Sequence, residues 1–176
     1  MAYEDYTSGD WTETDTGGIY SVTTNKVEVT GYDFPGGGSR LTKDGGASHF
    51  GTTSTHQFEI TFDNLGEIQP FYIYILGDTV GDSFDLSGDE IDIYINEGDG
   101  NYTLILELFD ESTSDESITL ATGTKYYIEV IRTATPLTTV KIRTGSHTGT
   151  LIDTISITDG GDSYRYLYQA QELRFF

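Results

Sequence analysis

An antiparallel all-β sandwich is the fold this sequence predicts, and three observations carry it. Polar and apolar residues alternate in run after run. Short clusters of Gly, Asp, Asn and Pro separate the runs, and no segment sustains the 3.6-residue period of an amphipathic helix. The connections are too short for the crossover helices that parallel strands need, which leaves a sandwich or a barrel. With 176 residues the chain is expected to fold as one domain spanning 1–176 and to bury a sizeable core.

Taken in order, strand-like runs stand at Ile19–Thr23, Lys26–Tyr32, Ser39–Lys43, His56–Asp63, Pro70–Leu76, Glu90–Asn96, Tyr102–Phe109, Ser117–Ala121, Lys125–Arg132, Thr138–Arg143, Thr150–Ile157 and Tyr164–Gln169, with an extended end at Glu172–Phe176. Turn clusters punctuate them: Asp15-Thr16-Gly17-Gly18, Pro35-Gly36-Gly37-Gly38, Asp44-Gly45-Gly46, Glu97-Gly98-Asp99-Gly100-Asn101 and Thr158-Asp159-Gly160-Gly161-Asp162. In these, Gly supplies positive φ and Asp or Asn bonds its own backbone. Glu111 to Ser117 is entirely polar and is expected to be a solvated loop. Side chains change face at every strand residue. Phe71, Ile73 and Ile75 are therefore assigned to one face and Tyr72, Tyr74 and Leu76 to the other, while Tyr164, Tyr166 and Tyr168 are expected to share a face. The expected core is Phe58, Ile60, Phe62, Phe71, Ile73, Ile75, Ile91, Ile93, Ile95, Leu104, Leu106, Ile128, Val130 and Ile142.

Charge removes whole classes of partner. Nine basic residues against 29 acidic ones give a net charge of -20, which repels phosphate backbones and anionic lipid surfaces. Nucleic acid is therefore not an expected partner, and neither is membrane insertion, because the purely apolar runs are only a few residues long. Met1-Ala2-Tyr3-Glu4-Asp5 lacks the basic start and apolar stretch of a secretory signal. The absence of Cys excludes disulfides and thiolate metal sites but leaves the compartment open.

Candidate chemistry concentrates on Glu90-Ile91-Asp92-Ile93-Tyr94-Ile95-Asn96. The isoleucines enter the core, and Glu90, Asp92, Tyr94 and Asn96 line the opposite surface. Two carboxylates, a phenol and an amide suit sugar hydroxyls, and Tyr72 and Tyr74 would add rings able to lie against the C–H faces of a pyranose. Tyrosine also forms strands well without any ligand, so a cluster around Glu90 and Asp92 is what would distinguish binding from sheet packing. The Asp-rich stretch from 78 to 89 offers Asp78, Asp82, Asp85 and Asp89 as candidate ligands of a structural calcium, with Asp159 and Asp162 as further oxygen donors. Its spacing is not that of an EF-hand. His49, His56 and His147 show no paired ligand spacing for zinc.

Several segments resemble the concanavalin A-like lectin/glucanase superfamily. They are His49-Phe50-Gly51 followed by His56-Gln57-Phe58-Glu59-Ile60-Thr61-Phe62, the strand start Gly100-Asn101-Tyr102, Thr122-Gly123-Thr124-Lys125-Tyr126-Tyr127-Ile128-Glu129-Val130, and Tyr164-Arg165-Tyr166-Leu167-Tyr168. The resemblance implies a laminin-G-like jelly roll whose concave sheet binds a glycan, of a kind similar to surface and attachment modules of phage and other viral particles. Hydrolases of this superfamily carry Glu-x-Asp with a second Glu four or five positions after the first. Glu90 and Asp92 match the first two positions. The acid/base position falls on Tyr94 or Ile95, and Glu97 faces away unless a bulge intervenes. Glu107, Asp92 or Glu129 would restore a catalytic pair only if the fold brought one across from Glu90.

The expectation is thus a non-catalytic glycan-binding module on an extracellular or virion surface, with calcium as its candidate ion and a homo-oligomer or larger virion protein as its setting. A structural or decoration domain without glycan binding is the alternative, and a β-glucan-type hydrolase the third reading.

Overall fold

The computed structural model of the chain describes residues 5–15, 18, 20–30, 40–46, 49–63, 71–77, 90–108, 113–135, 137–158, 164–169 and 171–172. Its strands are β1 (Trp11–Thr14), β2 (Tyr20–Thr23), β3 (Lys26–Val29), β4 (Arg40–Asp44), β5 (Ser54–Ile60), β6 (Phe71–Gly77), β7 (Ile91–Gly98), β8 (Asn101–Leu108), β9 (Thr113–Glu116), β10 (Tyr126–Thr133), β11 (Leu137–Thr144), β12 (Thr150–Ile157), β13 (Tyr166–Gln169) and β14 (Gln171–Glu172). Among the described residues there is no helix, and hence none long and apolar enough to cross a membrane.

An eight-stranded antiparallel sheet runs β1-β4-β13-β6-β7-β8-β9, with β14 pairing β6 beside β13. A four-stranded sheet runs β12-β11-β10-β5, and β2 and β3 form a separate hairpin. Neighbours far apart in sequence, such as β4 with β13 and β13 with β6, give the long-range crossovers of a jelly roll. The β7–β8 hairpin turns on Asp99 and Gly100, both with positive φ (53° and 78°). Two successive positive φ values make the type I′ turn that matches strand twist, and Asp-Gly is a preferred pair for it.

The two large sheets pack face to face. Ile91, Ile93, Ile95, Leu104, Leu106 and Leu108 of the larger sheet and Ile128, Val130, Val140, Ile142, Ile155 and Ile157 of the smaller one belong to a single buried cluster. Strict alternation along β10, buried at Tyr126, Ile128, Val130 and Arg132, produces one wall of it. Most of the expected core is found here, with Phe58, Ile60 and Phe71 only partly buried against it. Arg132 is fully inside at 1% exposure. Its Nη1 donates to the Gly51 carbonyl at 3.0 Å, and its guanidinium lies 4.8 Å from the centre of the Tyr164 ring.

Ile75 is not in that core. The β6–β7 register pairs Tyr72 with Tyr94 but Tyr74 with Ile93, shifting between Tyr72 and Tyr74. An extra residue in one strand reverses the face of everything after it. Tyr74 and Leu76 consequently enter the main core, and Ile75 joins Tyr72 and Tyr166 on the far side of the sheet. Tyr74, expected at the glycan surface beside Tyr72, is instead 1% exposed between the sheets, stacked on Phe58 at 5.8 Å, with its hydroxyl 2.5 Å from His56 Nδ1. Tyr164 and Tyr166 part in the same way. Tyr164 precedes β13, forms an isolated bridge with Phe50 and lies in the main core, whereas Tyr166 lies on the far side.

Two further expectations change at the edges. Thr113–Glu116, read as loop, is strand β9, paired to β8 through Leu106 and Asp115. A wholly polar edge strand has no hydrophobic period to reveal it. Within Ser117–Ala121, read as strand, the ladder reduces to the bridge between Tyr102 and Leu120. Asp115 Oδ2 accepts from the backbone N–H of Ser156 at 2.8 Å, and Asp153 Oδ2 from that of Ile118 at 2.7 Å. These bonds occupy donors on strand edges that would otherwise invite pairing with another chain.

Candidate functional site

Register alone defines the surface that matters. A transverse row crosses the larger sheet from Thr12 to Thr42, Tyr168, Ile75, Asp92, Glu107 and Ser114. Directly opposed residues share a face, so Thr12, Thr42, Ile75, Asp92, Glu107 and Ser114 all project away from the main core. This outer face holds five of the six residues expected to bind glycan: Tyr72, Glu90, Asp92, Tyr94 and Asn96.

At its centre, Tyr72 and Tyr94 form an aromatic pair with ring centroids 4.9 Å apart and planes at 37°. The Tyr94 hydroxyl donates to Glu107 Oε2 at 2.9 Å. That bond and burial both push the Tyr94 phenol above its ordinary value, with burial the larger cause, and the carboxylates of Glu107 and Asp92 act in the same direction. Tyr72 is 4% exposed, and burial followed by the charge of Asp92 pushes it up as well. Glu90 packs against the backbone opposite it. A Cβ on Gly77 would stand 3.1 Å from Glu90 Oε1, so the absence of a side chain there gives the carboxylate its room.

Asp92 is the unusual group. It is 0% exposed, and among the described residues neither carboxylate oxygen has a hydrogen-bond partner. Burial, then the charges of Glu90 and Glu107, push its carboxyl well above the ordinary carboxylate range, because a dry site beside two like charges favours the neutral acid. The open, sugar-facing role expected of Asp92 and Glu90 does not match this placement, since Glu90 is only 6% exposed. Tyr94 and Asn96 are the half-open members of the set. Glu107 does come across from Asp92, its direct register partner, whereas Glu129 lies on the smaller sheet, bonded to Gln57.

A second feature of this face was not visible in sequence. Gly9, Asp10, Thr12, Thr14, Arg40, Thr42, Asp44 and Tyr166 line a groove of about 370 Å³. β1 and β4 align Thr12 with Thr42 and Thr14 with Arg40, and β13 sets Tyr166 against Asp44. Arg165 holds Asp44 in a two-point ion pair, Nε to Oδ1 at 2.8 Å and Nη2 to Oδ2 at 2.7 Å, and the Gly46 N–H donates to Oδ1 at 2.8 Å. The bond from Arg165, with that from Gly46, holds the Asp44 carboxyl down to about 2. The Arg165 guanidinium also covers the Tyr166 ring at 4.9 Å. Arg40 and Thr42 flanking buried Leu41 are a usable signal in the sequence for one wall, but the short polar run of β1, the other wall, carries none.

The calcium candidates Asp78, Asp82, Asp85 and Asp89, with Asp159 and Asp162, lie outside the described residues. Among the described residues no group of three His, Asp or Glu is placed to hold a metal ion. His56 and His49 both border Phe50, and His147 packs edge-on against Tyr127.

No protein-family profile matches the chain, and no curated protein matches it either. Solved structures do. Full-length tailspike protein 2 from a bacteriophage of Escherichia coli O157:H7 is similar over 99% of this chain at 14% identity and a TM-score of 0.59, and its enzymatically active domain gives the same values. The chain spans only 25% and 28% of the length of those two structures. Winged bean acidic lectin, solved with methyl-α-D-galactose, is similar over 96% of this chain and 95% of its own length, at 9% identity and a TM-score of 0.51. At such identities the likeness concerns the fold, a lectin-like β-sandwich of jelly-roll type.

Proposed function

We propose that this chain is a non-catalytic carbohydrate-binding module that holds a glycan on the outer face of its eight-stranded sheet. The observation that carries this reading is the Tyr72–Tyr94 pair, tied down by the bond from Tyr94 to Glu107 and bordered by half-open Asn96. Tyr72 is buried and serves as the backing that fixes the Tyr94 ring, so the half-open ring of Tyr94, beside a carboxylate and an amide, is the group offered to the apolar face of a sugar and its hydroxyls. Tyr72 and Tyr94, rather than Tyr72 and Tyr74, are the tyrosines that stand on the face of Glu90 and Asp92, and the half-open ring of Tyr94 is what supports binding over plain sheet packing.

Binding is favoured over hydrolysis by what happens to the carboxyls. A retaining glycosidase needs two of them about 5–5.5 Å apart and in reach of the scissile bond. Here Asp92 has no exposed surface and Glu90 almost none, Glu107 is engaged by Tyr94, and a phenol occupies the expected acid/base position. The setting suggested by the fold match to a phage tailspike is a virion or extracellular surface, where weak modules, on the order of micromolar to millimolar, gain avidity from repeated copies. A structural domain of such a particle is the second reading, because the matched tailspike chains are about four times longer than the part this fold covers.

A glycan array probed with wild type and with Tyr94→Ala and Asn96→Ala, each with calcium and with chelator, tests the reading. Retention by wild type and its loss in both variants, measured per folded molecule, is the expected outcome. No retention by wild type on any glycan, with symmetric association by light scattering, would replace it with the structural-domain reading.

A further inference from the structure

We infer that the groove between β1, β4 and β13 is a separate subsite for an uncharged pyranose, some three strand spacings, or about 14 Å, from β7 when measured at β4. The inference rests on the carbohydrate-binding reading and extends it, since none of the residues expected to bind glycan lines this groove.

Its chemistry is balanced in a way a neutral sugar requires. Three threonine hydroxyls, Thr12, Thr14 and Thr42, can each donate or accept, the guanidinium of Arg40 only donates, and the carboxylates of Asp10 and Asp44 only accept. Vicinal hydroxyls of a pyranose present both roles at adjacent oxygens, so a wall that mixes donors and acceptors satisfies them without leaving an orphan on either side. Tyr166, buried beneath Arg165, closes the floor of the groove.

Preorganisation separates this groove from a generic polar surface. Asp44 is held by two bonds from Arg165 and one from Gly46, and the same Arg165 lies over the ring of Tyr166. A carboxylate fixed before the ligand arrives loses little rotamer freedom on binding. Arg165 thus fixes the Asp44 acceptor and the floor of the groove together. Thr12 faces Thr42 and Thr14 faces Arg40 across a regular ladder, which fixes the opposite wall through backbone register.

The charge of the ligand follows from the same inventory. Asp44 is neutralised by its ion pair with Arg165, and Asp10 and Arg40 contribute one charge of each sign to the lining, leaving the groove near neutrality inside a chain of net charge -20. A sugar bearing a carboxylate or sulfate would meet repulsion from the whole molecule and from Asp10, with no cation in surplus to receive it. An uncharged hexopyranose meets neither penalty.

The test uses the whole chain and a panel of immobilised neutral oligosaccharides beside matched oligosaccharides carrying a uronic acid, with glucose, galactose and mannose as soluble competitors. Thr12→Trp fills the groove from an exposed strand position, and Asp10→Ala removes one acceptor without disturbing the Asp44 clamp. Each is expected to weaken retention of neutral oligosaccharides ~10-fold or more, with an unchanged melting temperature and with amide shifts at Thr42, Asp44 and Tyr166 on sugar titration of wild type. If Tyr94→Ala abolishes retention while Thr12→Trp and Asp10→Ala bind as wild type does, the subsite is wrong and the carbohydrate reading stands. Stronger retention of the uronic-acid set overturns the uncharged class, and no retention by wild type of any member of the panel overturns both readings together.

Discussion

Replacing Tyr74 with Ala tests the shift in β6 that separates the observed fold from simple strand alternation. The ring is 1% exposed, lies parallel to Phe58 with 9° between planes, and carries a hydroxyl 2.5 Å from His56 Nδ1. Truncating a buried aromatic to Ala costs ~3–5 kcal/mol, of which the stacked pair supplies ~0.5–1.5 kcal/mol. For a chain of this size each kcal/mol moves the melting temperature by about 2–4 °C. The expected fall is therefore ~6–20 °C in a calorimetric or circular-dichroism melt. Tyr74→Phe keeps the ring and removes the hydroxyl bond to His56, worth ~0.5–1.5 kcal/mol, so the order of stability is wild type, Tyr74→Phe, Tyr74→Ala. A double-mutant cycle with His56→Ala should show a coupling of ~0.5–3 kcal/mol. Without the register shift Tyr74 would stand on the outer face, where its loss would resemble that of half-open Tyr94. A Tyr74→Ala variant that melts within ~2 °C of wild type, or a cycle that is additive, refutes the placement.

Two further outcomes follow from the buried polar groups. Because the Asp92 pKa is raised on folding, the unfolded chain releases that proton first, near its ordinary value of about 3.9. Stability from this group is present below that pH and is lost as pH rises toward the folded value. Urea titrations across this range should show a smaller decline in Asp92→Asn than in wild type, and identical pH slopes would contradict it. Arg132→Met should leave the Gly51 carbonyl without its donor, costing ~1–3 kcal/mol, and should forfeit a ring contact worth up to ~2 kcal/mol. Glycan retention per folded molecule should stay unchanged, and an unchanged denaturation midpoint would show that the buried cation contributes nothing.

Much of this molecule was legible in its sequence because strand chemistry is local. The alternation of Ile91, Ile93 and Ile95 with Asp92, Tyr94 and Asn96 determined by itself which side chains of β7 face the core. Asp99-Gly100 announced its own hairpin, and the absence of a helical period set the fold class. The same locality explains what was missed. Trp11–Thr14 and Thr113–Glu116 are strands only because β4 and β8 supply partners, so no pattern within those four-residue pieces reveals them.

Faces beyond an irregularity belong to tertiary structure. Nothing within Phe71-Tyr72-Ile73-Tyr74-Ile75-Leu76 marks the residue at which β6 slips against β7, yet that slip sends Tyr74 inward and Ile75 outward. Composition placed carboxylates on one surface, but only packing decided that Asp92 would be dry while Tyr94 stayed half open. Likewise, Asp10, Thr12, Arg40, Asp44 and Tyr166 come from three separated segments, and long-range antiparallel pairing alone makes them one groove. Period and turn chemistry act between neighbours in the chain, whereas register, burial and charge environment are set by residues that meet only after folding.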